Sequence, residues 1–221
     1  MSAQTAFRHD LKIVVELQEN PGVDTLGQRS VAFVSPQHSS ATVAACFDIF
    51  PQGAFVNKAG GHIVGYANAI RLSSRTALTA HDWKTATASG SGASHNPNGS
   101  WLYVCRMLLT AGAGHQSLGT ELAPLLMSLK ALAKQTGLKG VAIALPFPGL
   151  RDRSGTTEFQ KQCLDEGGKK FGRPHLLGAI GPSASINVAL YKGFHHQTAL
   201  PDYTGSSTHF ALMAWRNPRT K

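Results

Sequence analysis

The stretch from residue 101 to residue 136 constrains the fold more than any other part of this sequence. It begins with the apolar run WLYVCRMLL, which is broken only by Arg106 and has the composition of a buried strand. TAGAGHQSLG follows, and TELAPLLMSLKALAKQT then repeats leucines at three- and four-residue spacing, which predicts an amphipathic helix. We therefore expect a buried strand, a glycine-rich loop and a helix in direct succession.

The glycine-rich loop at the start of this helix has two interpretations. The first turn of a helix carries unpaired backbone N–H groups at the positive end of the helix dipole, so the loop is a ready seat for a phosphate or pyrophosphate. Ser117 and Thr120 are candidate capping residues at the helix start. The alternative is an ordinary connection between a strand and a helix, and this stretch alone does not decide between the two.

The rest of the chain supplies further strands and helices. A second buried strand from Val141 to Leu145 follows the helix, and the strand–helix–strand order makes the two strands parallel neighbours. An Ala-Gly-Gly turn predicts a hairpin between AFVNK and HIVGYANAIRL. The remaining expected elements are strands at LKIVVEL, Val31–Val34 and His209–Trp215, a long polar loop from Ser73 to Ser100, a helix after the Ser35-Pro36 pair, and a helix over SASINVALYKGF that ends at Gly193.

Composition restricts the class of protein. With 42% hydrophobic and 15% charged residues, 221 residues are enough for a sizeable core. The apolar runs stay well below the about 20 residues of a membrane helix, and the N-terminus lacks the apolar segment of a secretory signal. Three widely spaced cysteines without a CxxC pair are typical of free thiols in a reducing cytoplasm, and we expect no metal site.

The charge balance favours a negatively charged partner. The chain has 21 Lys and Arg residues against 12 Asp and Glu, which gives a net charge of +9. Such a balance suits a phosphorylated cofactor, an acidic carrier protein or a nucleic acid. The basic residues are dispersed and are not interleaved with aromatic residues, which argues against nucleic-acid binding.

Several segments resemble the GCN5-related N-acetyltransferase (GNAT) family, from about Val31 to the end of the chain. The resemblance lies in FPQGAFVNKAGGHIVGYA, SHNPNGSWLYV, AGAGHQSLGTEL, GLKGVAIALPFPG, LYKGF and ALMAWRNP. These segments are most similar to the acetyltransferase domain that is fused to nitrilase-like amidases, which also closes on Trp-Arg-Asn-Pro. The implied organisation is an N-terminal extension with one strand over residues 1–30 and a GNAT-like acyltransferase domain over residues 31–221.

The resemblance implies an α/β fold in which helices flank a mixed, mostly antiparallel central sheet with a splayed parallel strand pair. The pantetheine arm of acetyl-CoA, or of another acyl-CoA, would lie between the splayed strands. It would pair with backbone groups of Met107, Leu108 and Leu109. The pyrophosphate would sit on the amides of the loop and the helix start, which are those of Gly114, His115, Gln116, Ser117, Leu118, Gly119 and Thr120.

The resemblance also implies two catalytic groups, a base for the amine proton and an acid for the leaving thiolate. Tyr191 resembles the family's tyrosine acid, although only one residue separates it from Gly193 where the usual spacing is three. Tyr103 stands near the position at which many members keep a carboxylate, and its two-residue spacing puts it on one strand face with Cys105. Tyr191 and Tyr103 are therefore the predicted catalytic residues.

The implied function is transfer of an acetyl or longer acyl group to an amine of a small molecule or peptide. The donor would be CoA or the pantetheine of an acidic acyl carrier protein, and the resemblance is compatible with a homodimer. The loop departs from the family pattern Gln/Arg-x-x-Gly-x-Gly/Ala, because Gly114 stands at the Gln/Arg position and Ser117 at the first glycine. The sequence therefore leaves a second interpretation open, a catalytically inactive GNAT-like module that is used for binding.

Overall fold

The computed structural model of the chain describes residues 3–19, 29–32, 39–79, 81–111, 117–146, 184–200, 202–205 and 210–220. The described elements are, in chain order, β1 (Gln4–Thr5), α1 (Arg8–Glu19), β2 (Arg29–Ala32), α2 (Ser40–Ile49), a 3₁₀ turn (Pro51–Gly53), β3 (Ala54–Ala59), β4 (His62–Leu72), α3 (Ser74–Leu78), α4 (Trp83–Thr87), β5 (Trp101–Ala111), α5 (Ser117–Gln135), β6 (Gly140–Pro146), α6 (Ala184–Tyr191), β7 (His195–Leu200) and β8 (Phe210–Arg216).

The strands form one mixed sheet of eight strands in the order β1-β3-β4-β5-β6-β8-β7, and β2 pairs with β5 beside this path. Among the described strands only β5 and β6 pair in parallel, and every other pairing is antiparallel. The predicted fold class is therefore confirmed: helices flank a mixed, mostly antiparallel sheet that contains one parallel pair.

The predicted hairpin and central helix are also present. Gly60 and Gly61 join β3 to β4, and both have positive φ angles (57° and 83°), which a side chain would strain. Helix α5 begins three residues before the predicted start and continues through Pro124. Its leucine stripe is buried against the sheet, which accounts for the helix in terms of packing rather than propensity; the fully buried members are Leu122, Leu125, Leu126 and Leu129.

The strand predicted at LKIVVEL is wrong, because these residues belong to helix α1. Leu11, Val14 and Val15 are buried, whereas Ile13 on the opposite side is 43% exposed. This burial follows the three- and four-residue period of a helix rather than the two-residue period of a strand. Strand β1 pairs with β3, and α1 packs into a core cluster with residues of α2, β3 and β4.

The region from 73 to 100 is not only loop. It contains the short helices α3 and α4, whose first turns are capped by Ser73 and Asp82. Another predicted boundary shifts by a few residues, because α2 starts at Ser40 with Ser39 as its cap, and strand β7 is not among the predicted elements. The predicted cap at Ser35, the proline after it and the ends of two predicted strands (33–34 and 209) lie outside the described residues.

No helix in the described part of the chain is both long and apolar enough to cross a membrane.

Candidate functional site

The parallel strands β5 and β6 part in the middle of the sheet. Their ladder runs from the pair Trp101–Gly140 to the pair Val104–Ile143 and ends there, although β5 continues to Ala111 and β6 to Pro146. On the same edge of β5, strand β2 then pairs with residues 108–111. The backbone of Cys105, Arg106 and Met107 therefore lies between two ladders, and we call this segment the strand gap.

The residues predicted to hold the pantetheine arm divide between the gap and β2. Met107 lies in the strand gap. Leu108 and Leu109 pair with β4 on one side, opposite Tyr66 and Gly65. On their other side they pair with Ala32 and Val31 of β2. An arm that paired with Leu108 and Leu109 would therefore have to take the place of β2.

The residues predicted to hold the pyrophosphate lie at the start of α5. Ser117, Leu118, Gly119 and Thr120 form the first turn of this helix. Gly114, His115 and Gln116 lie outside the described residues. Helix α5 has 19 residues and begins at Ser117, shortly after the end of β5. The positive end of its dipole is therefore at Ser117.

A β-bulge shapes the face of β5 at the strand gap. Residue Asn68 of β4 pairs with Arg106 and Ala69 pairs with Val104, so Cys105 is the extra residue. The Cys105 sulfur lies 3.9 Å from the Asn68 side-chain oxygen, on the face of Tyr103, as the two-residue period predicts. The bulge turns Arg106 to this face as well.

Tyr103 belongs to a hydrogen-bonded network that the sequence does not indicate. Its hydroxyl lies 2.6 Å from Nε2 of His81 and also bonds the hydroxyl of Tyr203. Nδ1 of His81 lies 2.6 Å from the carbonyl oxygen of Thr79, which can only accept, so Nδ1 carries the hydrogen. Nε2 then accepts from Tyr103, and the Tyr103 oxygen accepts from Tyr203.

Burial sets the protonation states in this network. It lowers the pKa of His81, so the imidazole is neutral at neutral pH. Burial likewise raises the pKa of Tyr103 well above its ordinary value, and the neighbouring Tyr203 raises it further. The pKa of Tyr203 is raised for the same first reason. The network therefore holds two protonated phenols and a neutral imidazole, which can accept a proton.

Trp83 links the hydrogen-bonded network to β5. Its indole N–H donates to the carbonyl oxygen of Cys105 at 2.8 Å, and its backbone N–H donates to the carbonyl oxygen of Tyr203 at 2.9 Å. One side chain thus ties the bulge residue to the turn that carries Tyr203. The hydroxyl pair is held by α4 as well as by the sheet.

A second cluster on the same face contains Arg106, Tyr66 and Asn68 with two thiols. Each of these side chains is at most 1% exposed. All three guanidinium nitrogens of Arg106, the hydroxyl of Tyr66 and the amide nitrogen of Asn68 lack a hydrogen-bond partner in the part of the chain that the structure describes. The cluster therefore presents several N–H and O–H donors that the described contacts leave unpaired.

The two thiols of this cluster are Cys46 of α2 and Cys105. The Cys46 sulfur lies 2.7 Å from the side-chain oxygen of Asn68 and 4.0 Å from the Cys105 sulfur. The hydrogen bond from Cys105 lowers the pKa of Cys46, and the charge of Arg106 acts in the same direction. Burial raises the pKa of Cys105, so this thiol stays protonated.

The two predicted catalytic tyrosines occupy different environments. Tyr103 is completely buried, whereas Tyr191 at the end of α6 is 71% exposed and has the Lys192 ammonium 5.0 Å from its ring centre. No hydrogen bond of the described residues links them. The assignment of either tyrosine as an acid stays a prediction.

Sequence reasoning did not single out His81, Tyr203, Tyr66 or Asn68 for this site. The sequence contains one usable signal, since Arg106 is the one charged residue in an otherwise apolar strand. The other four residues come from three separate segments, with Tyr66 and Asn68 both on β4, and they meet only in the fold. Among the described residues, no group of three or more His, Cys, Asp or Glu side chains is arranged to hold a metal ion.

Comparison with solved structures places this arrangement in a known class of folds. The GphF GNAT-like decarboxylase, solved in complex with isobutyryl-CoA, is 17% identical over 98% of this chain and 99% of its own, with a TM-score of 0.61. The loading GNATL domain of CurA from Lyngbya majuscula is 15% identical over 97% and 96%, with a TM-score of 0.66. YncA from Salmonella typhimurium, solved with its cofactor acetyl-CoA, is 14% identical over 98% and 93%, with a TM-score of 0.51.

The parting parallel pair and the order of the strands define the class, an α/β protein with the GNAT fold. The chain thus has the fold of the GCN5-related N-acetyltransferases, and at these identities the likeness concerns the fold alone. No protein-family model matches the sequence, and no curated protein matches it.

Proposed function

We propose that the chain binds an acyl-CoA between β5 and β6 and transfers the acyl group to an amine. The observation that carries this proposal is the strand gap. The parallel ladder ends at Val104 while both strands continue, so among the described strands none pairs with this edge of β5 over residues 105–107, where the Cys105 carbonyl oxygen accepts from Trp83. The pantetheine arm contains two amide groups and can pair with such an edge as a short strand does.

The start of α5 supports the same proposal. The N–H groups of the first turn of a helix have no intrahelical partner, and together with the helix dipole of α5 they suit the pyrophosphate of CoA. We assign this contact to the amides from Gly114 to Thr120. The contact uses backbone groups, so it does not need the arginine that the family pattern has and this loop lacks.

Tyr103 is the proposed proton donor for the leaving thiolate, with Tyr191 as the alternative. The Tyr103 hydroxyl is protonated, buried and close to the strand gap. Tyr203 donates a hydrogen bond to the Tyr103 oxygen, so a proton that Tyr103 gives to the thiolate can be replaced from the Tyr203 hydroxyl, while His81 accepts the hydrogen bond that orients Tyr103. These properties supply acid–base chemistry without a carboxylate at the site.

Decarboxylation of a carboxyacyl thioester is a second candidate, favoured by the donor set of the described site. Its residues are neutral donors and one guanidinium, and a decarboxylase needs no base for an amine. In that reaction the bond to the carboxylate carbon breaks, CO₂ leaves, and the electron pair forms an enolate that takes up a proton at carbon. One solved neighbour is named a GNAT-like decarboxylase.

Calorimetry with acetyl-CoA and with desulfo-CoA tests the proposal. Both ligands keep the pantetheine arm and the pyrophosphate, so we expect both to bind. Release of free CoA that depends on an added amine would establish transfer, whereas loss of CO₂ from malonyl-CoA with the thioester intact would establish decarboxylation. Binding without either reaction identifies the inactive binding module. If neither ligand binds, the proposal is wrong.

A further inference from the structure

We propose that Arg106, Tyr66 and Asn68 form a binding pocket for a carboxylate group beside the strand gap. The inference deepens the proposed function, because the carboxylate would belong to the acyl chain of the thioester or to the acceptor. It is carried by the unpaired donors themselves and not by the likeness to other proteins.

The Arg106 guanidinium is a buried charge that the described residues leave unpaired. Arg106 is 1% exposed, and a guanidinium stays protonated in proteins. A buried cation without a counter-ion is strongly destabilising, since its hydration is lost and nothing replaces it. A side chain that only filled space at this position would be apolar, as its strand neighbours are. The unpaired guanidinium therefore indicates a ligand that is negatively charged.

None of the described acidic side chains or aromatic rings is a partner of the Arg106 guanidinium. Asp10 and Glu121 are the buried carboxylates among the described residues. Lys58 pairs with Asp10 at 2.8 Å. Glu121 lies on α5, whose residues pack over Gly65 on the face opposite to Tyr66. No described aromatic ring lies under the Arg106 guanidinium at cation–π distance.

The donor side chains of Arg106, Asn68 and Tyr66 lie together on one face of the sheet. Arg106 lies directly opposite Asn68 across the ladder, and Tyr66 lies two residues before Asn68 on the same face of β4. Burial raises the pKa of Tyr66 and keeps its hydroxyl protonated, although the charge of Arg106 acts in the opposite direction. The three side chains therefore direct N–H and O–H groups towards one region.

The orientation of Asn68 supports the same conclusion. Cys46 donates its thiol hydrogen to the side-chain oxygen of Asn68 at 2.7 Å. This bond fixes the amide so that its NH₂ group points away from the sulfur and is left as a donor. The Cys46 thiol thus positions the amide.

The number and kind of donors select a carboxylate. Arginine offers a planar fork of N–H groups that matches two oxygens, and Tyr66 and Asn68 add further donors. A single thioester oxygen has too few lone pairs for this set, whereas a carboxylate has about four acceptor sites. The pocket therefore suits a group with two oxygens and a negative charge.

The experiment compares ligand pairs that differ only in the carboxylate. In the donor arm, calorimetry measures succinyl-CoA against butyryl-CoA and malonyl-CoA against propionyl-CoA. In the acceptor arm, with desulfo-CoA bound, it measures β-alanine against propylamine. We expect at least one carboxylate ligand to bind about 10- to 100-fold more tightly than its match, as a charge-assisted contact typically contributes.

Arg106→Met should remove this preference and leave the affinity of the matched ligand unchanged. Arg106→Lys should keep part of it, because the charge remains and the fork is lost. Tyr66→Phe should weaken it by about tenfold, and this variant also serves if Arg106→Met does not fold. Arg216→Met removes the same charge from an exposed position on β8 and should change nothing.

Stability separates a ligand-binding role from a structural one. Arg106→Met removes an unpaired buried charge, so we expect its melting temperature to rise; a lower value would mean that Arg106 stabilises the fold, which contradicts the proposal. Acetyl-CoA binding without any carboxylate preference, or a preference that survives in Arg106→Met, would also overturn it.

Failure of the proposed function is distinguishable from failure of this inference. If no CoA derivative binds, the acyl-transfer proposal fails alone, and the pocket is tested with malonate. A malonate-dependent rise in the melting temperature of the wild-type chain but not of Arg106→Met supports the pocket. No rise, or an equal rise in both proteins, overturns it.

Discussion

Tyr103 and Arg106 face the same side of the sheet although three positions separate them along β5. Tyr103 pairs with Ile70 and Arg106 pairs with Asn68, and these two partners share a face of β4. Strict alternation would put Arg106 on the opposite face, so the bulge at Cys105 brings the guanidinium to the hydroxyl network. Both lie at the point where β5 and β6 part.

The hydroxyl network should contribute to the chemical step. Tyr103→Phe removes the hydrogen bonds to His81 and Tyr203, and we expect kcat to fall by about 10²–10⁴ with CoA affinity nearly unchanged. Tyr191→Phe is the matched variant, and we expect it to have the smaller effect because Tyr191 is 71% exposed. Steady-state kinetics of both variants measure these effects. A fully active Tyr103→Phe variant would show that Tyr103 is not the proton donor.

The start of α5 should hold the cofactor through its backbone. Gly119→Trp should weaken CoA binding by about tenfold or more, because a bulky side chain prevents close approach of the pyrophosphate to the helix amides. Met127→Trp adds the same ring at an exposed position of α5 and serves as the control. Calorimetry with desulfo-CoA measures both, and equal affinities would contradict the assignment.

Cofactor binding should displace β2 from its place beside β5. Arg29–Ala32 pairs with the backbone of residues 108–111, which includes Leu108 and Leu109 of the predicted pantetheine contact. We expect the amides of Arg29–Ala32 to exchange hydrogen faster when acyl-CoA is bound, as measured by mass spectrometry. Unchanged exchange in a protein that binds CoA would limit the arm to the strand gap.

An acyl carrier protein should serve as a donor, with an ionic-strength dependence. The chain carries a net charge of +9, whereas carrier proteins are acidic, so attraction speeds their encounter and added salt screens it. We expect turnover of acyl-carrier protein to fall with added salt more steeply than turnover of acyl-CoA. A preference for free acyl-CoA at every salt concentration would contradict the prediction.

Asp10 should contribute stability that disappears in acid. Its burial raises the pKa of its carboxyl, but the hydrogen bonds from Lys58 and from the N–H of Phe7 outweigh this and lower the pKa below its usual value. A folded pKa below the unfolded value of about 3.9 means that the contribution is present above that value and is lost as the pH falls through the folded pKa.

Asp10→Asn should therefore lower the free energy of unfolding at pH 7 by about 1–3 kcal/mol and flatten its acid dependence. Urea unfolding across the acidic range measures both quantities. Asp48→Asn is the control, because Asp48 pairs with Arg8 at the surface and such pairs contribute about 1 kcal/mol or less. An acid dependence equal to that of the wild-type chain would contradict the role of Asp10.

Elements whose pattern is local could be predicted from the amino-acid sequence. The leucine spacing of α5, the apolar runs of β5 and β6 and the two glycines between β3 and β4 each report the structure of neighbouring residues. The parallel pair follows from the order of β5, α5 and β6 along the chain, whereas the fold class is implied by the resemblance to a known family. The LKIVVEL segment shows the limit of such predictions, since a short apolar run fits both periods, and only packing against residues of α2, β3 and β4 selects the helix.

The composition of the candidate site, in contrast, depends on contacts between distant segments of the chain. Tyr103 and Tyr203 are 100 positions apart, and Cys46 lies 59 positions before Cys105, so no spacing rule connects them. The bulge that turns Arg106 towards Asn68 is a property of the β4–β5 ladder and has no signature in either strand alone. A side-chain cluster drawn from separate segments exists only after the sheet has formed, because long-range pairing sets which faces meet.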